Sequence, residues 1–181
     1  MIVPAAPRLT TSFNSTLDSL RAVISGTVNS GVDVGETIPT VPRFVLTSAD
    51  VSESSGFCTQ YCAWHTYQNL NGGAIKYAFI GNPEQCPNAC EPQTTSPNGN
   101  PGADGMASVI AHELEESATD PLLNAWYDSQ GNENADKCAW TFGSTYLASN
   151  GSSYNMVLNG MEFLIQRNWV NASGGFCATS Y

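Results

Sequence analysis

Six cysteines constrain this chain more than any other feature. They stand at Cys58, Cys62, Cys86, Cys90, Cys138 and Cys177, an even count in 181 residues. Cys58/Cys62 and Cys86/Cys90 share one spacing, with three residues between partners. Zinc ribbons use knuckles with two intervening residues. The cysteines are therefore read as three intramolecular disulfides, and the compartment as an oxidising one. Cys86 and Cys90 flank a Pro-Asn-Ala turn and are placed to pair locally. Cys58 and Cys62 would lie about 13 Å apart in an extended segment. They are expected to pair outward, with Cys138 and Cys177, in an order the sequence leaves open. Sequons at Asn14, Asn150 and Asn171 fit a secreted glycoprotein.

The length suits one domain over 1–181, with 1–12 as a flexible N-terminal extension. The start, "MIVPAAPRLT", lacks a charged region followed by an apolar one. It is read as a mature form from which a signal has been removed, Met1 having been added for expression. No apolar run reaches the roughly 18 residues of a membrane span. Charged residues make up 12% and the net charge is −10, which argues against nucleic acid and anionic membranes as partners. A monomer is expected.

Phe13, Leu17, Leu20, Ile24 and Val28 recur at helical steps, and Gly31 is a plausible stop. Strands are expected over 42–51, 61–69 and 73–82. In the second, Tyr61, His65 and Tyr67 share one face, with Cys62 and Trp64 on the other. An irregular Pro/Asn/Gly loop follows over 83–105. A helix from Gly105 to Thr119 comes next, with Asp104 as its N-cap and Pro121 barring continuation. Asn150-Gly151 and Asn159-Gly160 are hairpin signals that divide the remainder into a three-stranded meander.

The helix carries "AHELEESATD", residues 111–120. Carboxylates near a helix C-terminus oppose the macrodipole. Met106, Ile110 and Leu114 form an apolar stripe, Val109, His112 and Glu116 lie beside it, and Glu113 falls between. Glu115 is on the solvated side. Between Asp104 and Asp136 stand eight acidic residues and no Lys or Arg. Carboxylates beside a core are costly unless paired or bound to a cation, so a bound ion is the simplest counter-charge. A solvated acidic helix end is the plainer alternative.

His112 and Glu116, at i and i+4, can reach one ion, and Glu113 can reach a water on it. This is the arrangement of the H-E-x-x-H zinc helix with Glu in place of the second His. Zinc is the expected ion and calcium the alternative. The third ligand is expected downstream, Glu133 first and Asp136 second, with Asp128 and Asp120 after. Asp136 can instead orient a ligand. Glu113 is the candidate general base, and His65 or Tyr127 the candidate oxyanion stabiliser.

Helix, three strands and metal helix occur in an order similar to the first half of zincin peptidases. The expected fold is thus α+β: a single zincin-like domain. Its parts are a twisted mixed sheet with an N-terminal helix and a metal-binding helix, a C-terminal β-meander, and stabilising disulfides. The expected activity is that of a zinc-dependent metallopeptidase acting on a peptide or protein. The rival is a non-enzymatic extracellular or cell-wall signalling protein with a structural zinc or calcium site.

Several stretches together resemble the phosphate-induced, Exordium-like family: "VLTSADV", "FCTQYCAWHTY", "YAFIGNPEQCPNAC", "SPNGNPGADGM", "NADKCAW" and "SSYNMVLNG". The likeness runs from about Arg43 to Tyr181. It implies a secreted, disulfide-bonded, extracellular or cell-wall-associated protein. It also implies a microbial form, in which His112 to Glu116 retain H-E-x-x-E where plant members have small and apolar residues.

Overall fold

The computed structural model describes residues 42–70 and 73–180. The helix expected over 13–28, the extension 1–12 and the Asn14 sequon lie outside them. Three strands form a mixed sheet, β1 (Arg43–Leu46), β2 (Ala63–Leu70) and β3 (Gly73–Ile80), in the order β1-β3-β2. β1 runs parallel to β3, with Leu46 opposite Ile80. β2 runs antiparallel to it, from Ala63↔Ile80 to Leu70↔Gly73. The first strand stops five residues short of the expected 51 because Val51 N–H turns back to the Ser48 carbonyl at 3.1 Å.

Both faces of this sheet are covered, and strand alternation sorts them. Leu46, Ala63, Ala78 and Ile80 pack with Met106 and Val109 of the long helix. Trp64 and Phe79 point the other way, into a cluster with Phe57, Tyr61, Cys62 and Cys90. There the Trp64 and Phe79 rings stack at 5.7 Å, and Phe57 meets Phe79 edge-on.

Three disulfides form among the six cysteines, with a pairing that differs from the expected one: Cys58–Cys86, Cys62–Cys90 and Cys138–Cys177. A one-turn helix α1 (Pro87–Cys90) puts Cys86 and Cys90 at i and i+4, facing the same way. The facing segment is not extended. The Gly56 carbonyl accepts from the N–H groups of Thr59, Gln60 and Tyr61, and Cys58 takes a positive φ of 70°. The two four-residue spacings therefore meet as parallel rungs.

The long helix α2 runs from Pro101 to Thr119 and starts four residues earlier than expected. Pro101 occupies the first turn, where a missing N–H costs nothing. Asn100, not Asp104, caps it by accepting from Ala103 N–H at 3.0 Å. Asp104 instead accepts from the Asn98 backbone and side chain.

The expected three-stranded meander is three separate two-stranded ladders. They are β4 (Tyr146–Leu147) with β5 (Ser153–Tyr154), β6 (Met156–Leu158) with β7 (Met161–Phe163), and β8 (Asn168–Val170) with β9 (Phe176–Ala178). Both Asn-Gly pairs do turn the chain, and Asn159 and Gly160 take φ of 49° and 79°. Asn155 interrupts the sheet between β5 and β6. Its side chain donates to the Phe142 and Ile165 carbonyls and accepts from Ile165 N–H, all within 2.8 Å.

Candidate metal centre

Three segments converge under the sheet. β2 contributes His65 from the same face as Ala63. Helix α2 contributes His112, Glu113 and Glu116. The segment after the helix contributes Glu133, and Asp136 at the head of a short 3-10 turn. All but Asp136 are buried, with Glu116 at 0% exposure, while Leu114 of the same helix is 45% exposed. The expected stripe through Leu114 is thus displaced. The helix buries Met106, Val109, His112, Glu113 and Glu116 and leaves a leucine in water. Apolar burial alone gives the opposite choice, so carboxylates buried in this way need a compensating charge or hydrogen bonds.

His112 Nε2 lies 2.9 Å from Glu116 Oε1 and 3.5 Å from Asp136 Oδ1. His65 Nε2 lies 3.1 Å from Glu133 Oε1 and 3.8 Å from Glu116 Oε2. The donor atoms form two triads that share Glu116: His65, Glu116 and Glu133, and His112, Glu116 and Asp136. Within each triad they lie no more than 4.8 Å apart. Asp136 N–H donates to Glu116 Oε1 at 3.2 Å, and Glu133 N–H to Asp136 Oδ2 at 3.4 Å. Asp136 therefore joins His112 and Glu116, while Glu133 faces His65. Imidazole nitrogen with carboxylate oxygen is a donor set that suits zinc and its first-row neighbours.

The loop carrying Glu133 and Asp136 is fixed from outside. Asn134 accepts from Trp169 N–H at 2.9 Å and donates to the Trp169 carbonyl at 3.0 Å. The Cys138–Cys177 bridge ties the same loop to β9. Gln166 is a residue that sequence reasoning missed. Its Oε1 accepts from Trp140 N–H at 3.2 Å and its Nε2 donates to the Ala135 carbonyl at 3.1 Å, which settles the amide's orientation. His112 Nδ1 sits 2.9 Å from Gln166 Nε2 and 3.3 Å from Oε1. In the neutral ring Nδ1 accepts from the amide and Nε2–H faces Glu116. A ring coordinating through Nε2 carries its proton on Nδ1, where Gln166 Oε1 is the acceptor. The donor set thus fits a cation and has the outer-shell partner such rings use. The available signal was a polar residue directly after Phe163, Leu164 and Ile165, which must find partners if buried.

Burial alone would lower the His112 pKa, but hydrogen bonds to Asp136 and Glu116 and the charges of Glu116 and Glu113 outweigh it and raise it well above 6.5. For His65, burial is likewise overcome, by the bond to Glu133 and the charges of Glu113, Glu133 and Glu116. Burial pushes Glu113 up to about 8, with Glu116 and Asp136 adding to the effect and the histidines opposing it. Glu133 is raised by burial against its bond to His65. Asp136 is held low: burial acts upward, but the bond from His112 prevails. Glu113 Oε2 and Glu116 Oε2 are buried with no hydrogen-bond partner.

The remaining candidates lie outside the two triads. Asp120 Oδ1 accepts from Asn124 and Ala125 N–H and shapes the turn after the helix. Asp128 organises its own loop through Gln130 and Asn132 and pairs with Lys137 at 3.0 Å. The Tyr127 ring is 45% exposed. Burial of its hydroxyl and a hydrogen bond to Asp120 raise its pKa, with Glu133 and Glu116 contributing charge. Tyr127 therefore stands between the cluster and solvent.

The phosphate-induced protein 1 conserved region matches residues 19–179. This chain belongs to the phosphate-induced, Exordium-like family. Its similarity to EXORDIUM-like 3 of Arabidopsis thaliana is 34% identity, over 83% of this chain and 53% of that protein. Against EXORDIUM-like 5 of the same plant it is 34%, over 69% and 43%. PHOSPHATE-INDUCED 1 of Nicotiana tabacum is 29% identical over 68% of this chain and 49% of its own length. The chain thus spans about half the length of these Exordium-like relatives. No solved structure matches it. The chain has a mixed α/β architecture with three disulfides, and no helix of the described residues is long and apolar enough to cross a membrane.

Proposed function

We propose that this Exordium-like protein is extracellular and non-enzymatic, and that a divalent metal ion, zinc in preference to calcium, fixes its fold. The supporting observation is enclosure. His65, His112, Glu113, Glu116 and Glu133 are each at most 3% exposed. The hollow lined by Cys58 to Cys62, Ala89, Cys90 and Trp140 is built from other residues. Structural zinc sites are closed, whereas catalytic ones keep a position open to water and substrate. An imidazole in each triad favours zinc over calcium, which prefers all-oxygen cages. The disulfides support an oxidising, extracellular setting, and cell-wall components are the partners we propose there. Elemental analysis after purification without chelating resin should find stoichiometric metal. Chelation should lower the melting temperature, and zinc should restore it better than calcium. Metal-free protein whose melting point ignores both chelator and zinc would sink the reading.

One observation favours a second reading, a zinc peptidase: Glu113 is buried beside the ligands with an unpartnered oxygen. A bound zinc ion supplies Lewis acidity and a more acidic water. Glu113 would accept that water's proton and pass it to the leaving amine. A diverse peptide library read by mass spectrometry separates the two. The structural reading expects no cleavage by metal-loaded protein. A peptidase would cleave, and Glu113→Gln would slow it about 100-fold or more while retaining metal.

A further inference from the structure

We propose that the cluster holds two divalent ions, bridged by the carboxylate of Glu116. The inference rests on the metal-centre reading above and goes beyond it in number and in the role given to one residue. Glu116 is wholly buried, and its two oxygens have different surroundings. Oε1 faces His112 Nε2 at 2.9 Å and accepts from Asp136 N–H at 3.2 Å. Oε2 has no hydrogen-bond partner and faces His65 Nε2 at 3.8 Å. A buried carboxylate oxygen left without a donor carries the full cost of its lost hydration. A cation on that side removes the cost, and the donor set there, His65 Nε2 with Glu133 Oε1, is already assembled.

The two triads are near-copies in chemistry. Each has one imidazole Nε2, one carboxylate of its own and one oxygen of Glu116. Zinc–ligand bonds of about 2.0–2.2 Å allow ligand atoms of one ion to be at most about 4.4 Å apart. From His65 Nε2 to Glu133 and Glu116 (3.1 and 3.8 Å) and from His112 Nε2 to Glu116 and Asp136 (2.9 and 3.5 Å) the separations fall inside that limit, and the donors group as two sets rather than one. Charge points the same way. Glu116 and Glu133 are buried, and with Asp136 the two triads bring three carboxylates, more than one divalent charge offsets. Among the described residues, the lysine within ion-pair distance of a carboxylate is Lys137, and its partner is Asp128. Carboxylate-bridged ion pairs of this kind are built from His and Asp/Glu donors.

Metal-stripped full-length protein should be titrated with Zn2+ and its bound metal counted. Two ions per chain are expected, falling to one in His65→Ala and to one in His112→Ala. Loading with Mn2+ tests the bridge on the unaltered protein: a magnetically coupled pair is expected in the electron paramagnetic resonance spectrum. A stoichiometry of one, or an uncoupled manganese signal at two, overturns the bridged pair and leaves a metal centre standing. Two ions retained in both histidine variants overturns the assignment of the triads. No bound ion removes the metal centre itself. Near-ultraviolet circular dichroism of each variant confirms folding, and the count and coupling on the parent need no variant.

Discussion

Gln166→Leu isolates the residue behind His112. Leucine matches glutamine closely in volume, so the change removes an amide and leaves no large cavity. Three groups lose a partner: the Ala135 carbonyl, His112 Nδ1 and Trp140 N–H. Ala135 and His112 are buried at 0% and 1%, whereas Trp140 is 42% exposed and water can serve its N–H. Two stranded buried groups at about 1–3 kcal/mol each give a loss of roughly 2–6 kcal/mol. The apolar side chain returns part of this, so about 2–4 kcal/mol is expected net. The assay is urea unfolding of the metal-stripped protein at pH 7. With a slope of about 2 kcal/mol per molar urea, the midpoint should fall by about 1–2 M. Zinc affinity should fall a further 10–100-fold, the usual effect of losing a partner behind a ligating imidazole. An unchanged midpoint refutes the hydrogen-bond accounting. A lowered midpoint with unchanged zinc affinity refutes the orienting role and leaves Gln166 a structural pin.

Metal-stripped protein should lose stability as pH rises from about 5 to 8. Glu113 titrates near 4.5 unfolded and near 8 folded, so between these values the folded chain binds more protons and a rise in pH favours unfolding. His112, also raised, gives stability below its unfolded value of 6.5 that is lost as pH climbs through the folded one. Melting curves of chelated protein should show the fall, Glu113→Gln should reduce it, and a rise in stability over that range would contradict it. Asn155→Ala should cost about 2–4 kcal/mol, since three short hydrogen bonds to Phe142 and Ile165 are lost. Metal content should stay at the parent's value, as measured by denaturant midpoint alongside elemental analysis.

The helix that carries His112 and Glu116 was legible because its signal is local. His112 and Glu116 are one turn apart, and the base-free acidic window around them demands a counter-charge. What completes each triad is tertiary. Glu133 and Asp136 are three residues apart, and only the turn between them decides which imidazole each meets. The pull on Glu113 and Glu116 also misled the stripe: periodicity counts Leu114 as core, but the cluster rotates the helix and leaves it in water. Cys86 and Cys90 read as a local pair because three residues separate them, whereas the proline-initiated turn aims both sulfurs at the segment carrying Cys58 and Cys62. Asn-Gly turns were readable as turns, but whether neighbouring hairpins join depends on Asn155, whose partners lie 10 and 13 residues away.

β2 serves two chemistries by alternation, with Trp64 in the aromatic cluster and His65 among the buried carboxylates. A shift of one residue in its pairing with β3 would carry the indole to the carboxylates and the imidazole to the rings. The Cys62–Cys90 rung stands immediately before the strand begins. It therefore works as an alignment key as well as a brace. Under the proposed metal centre biogenesis would have an order: oxidation of the thiols would come before there is a place for the ion. On that proposal, a chain that meets metal while still reduced lacks the setting that brings His65 to Glu116, and its metal content would record where it folded.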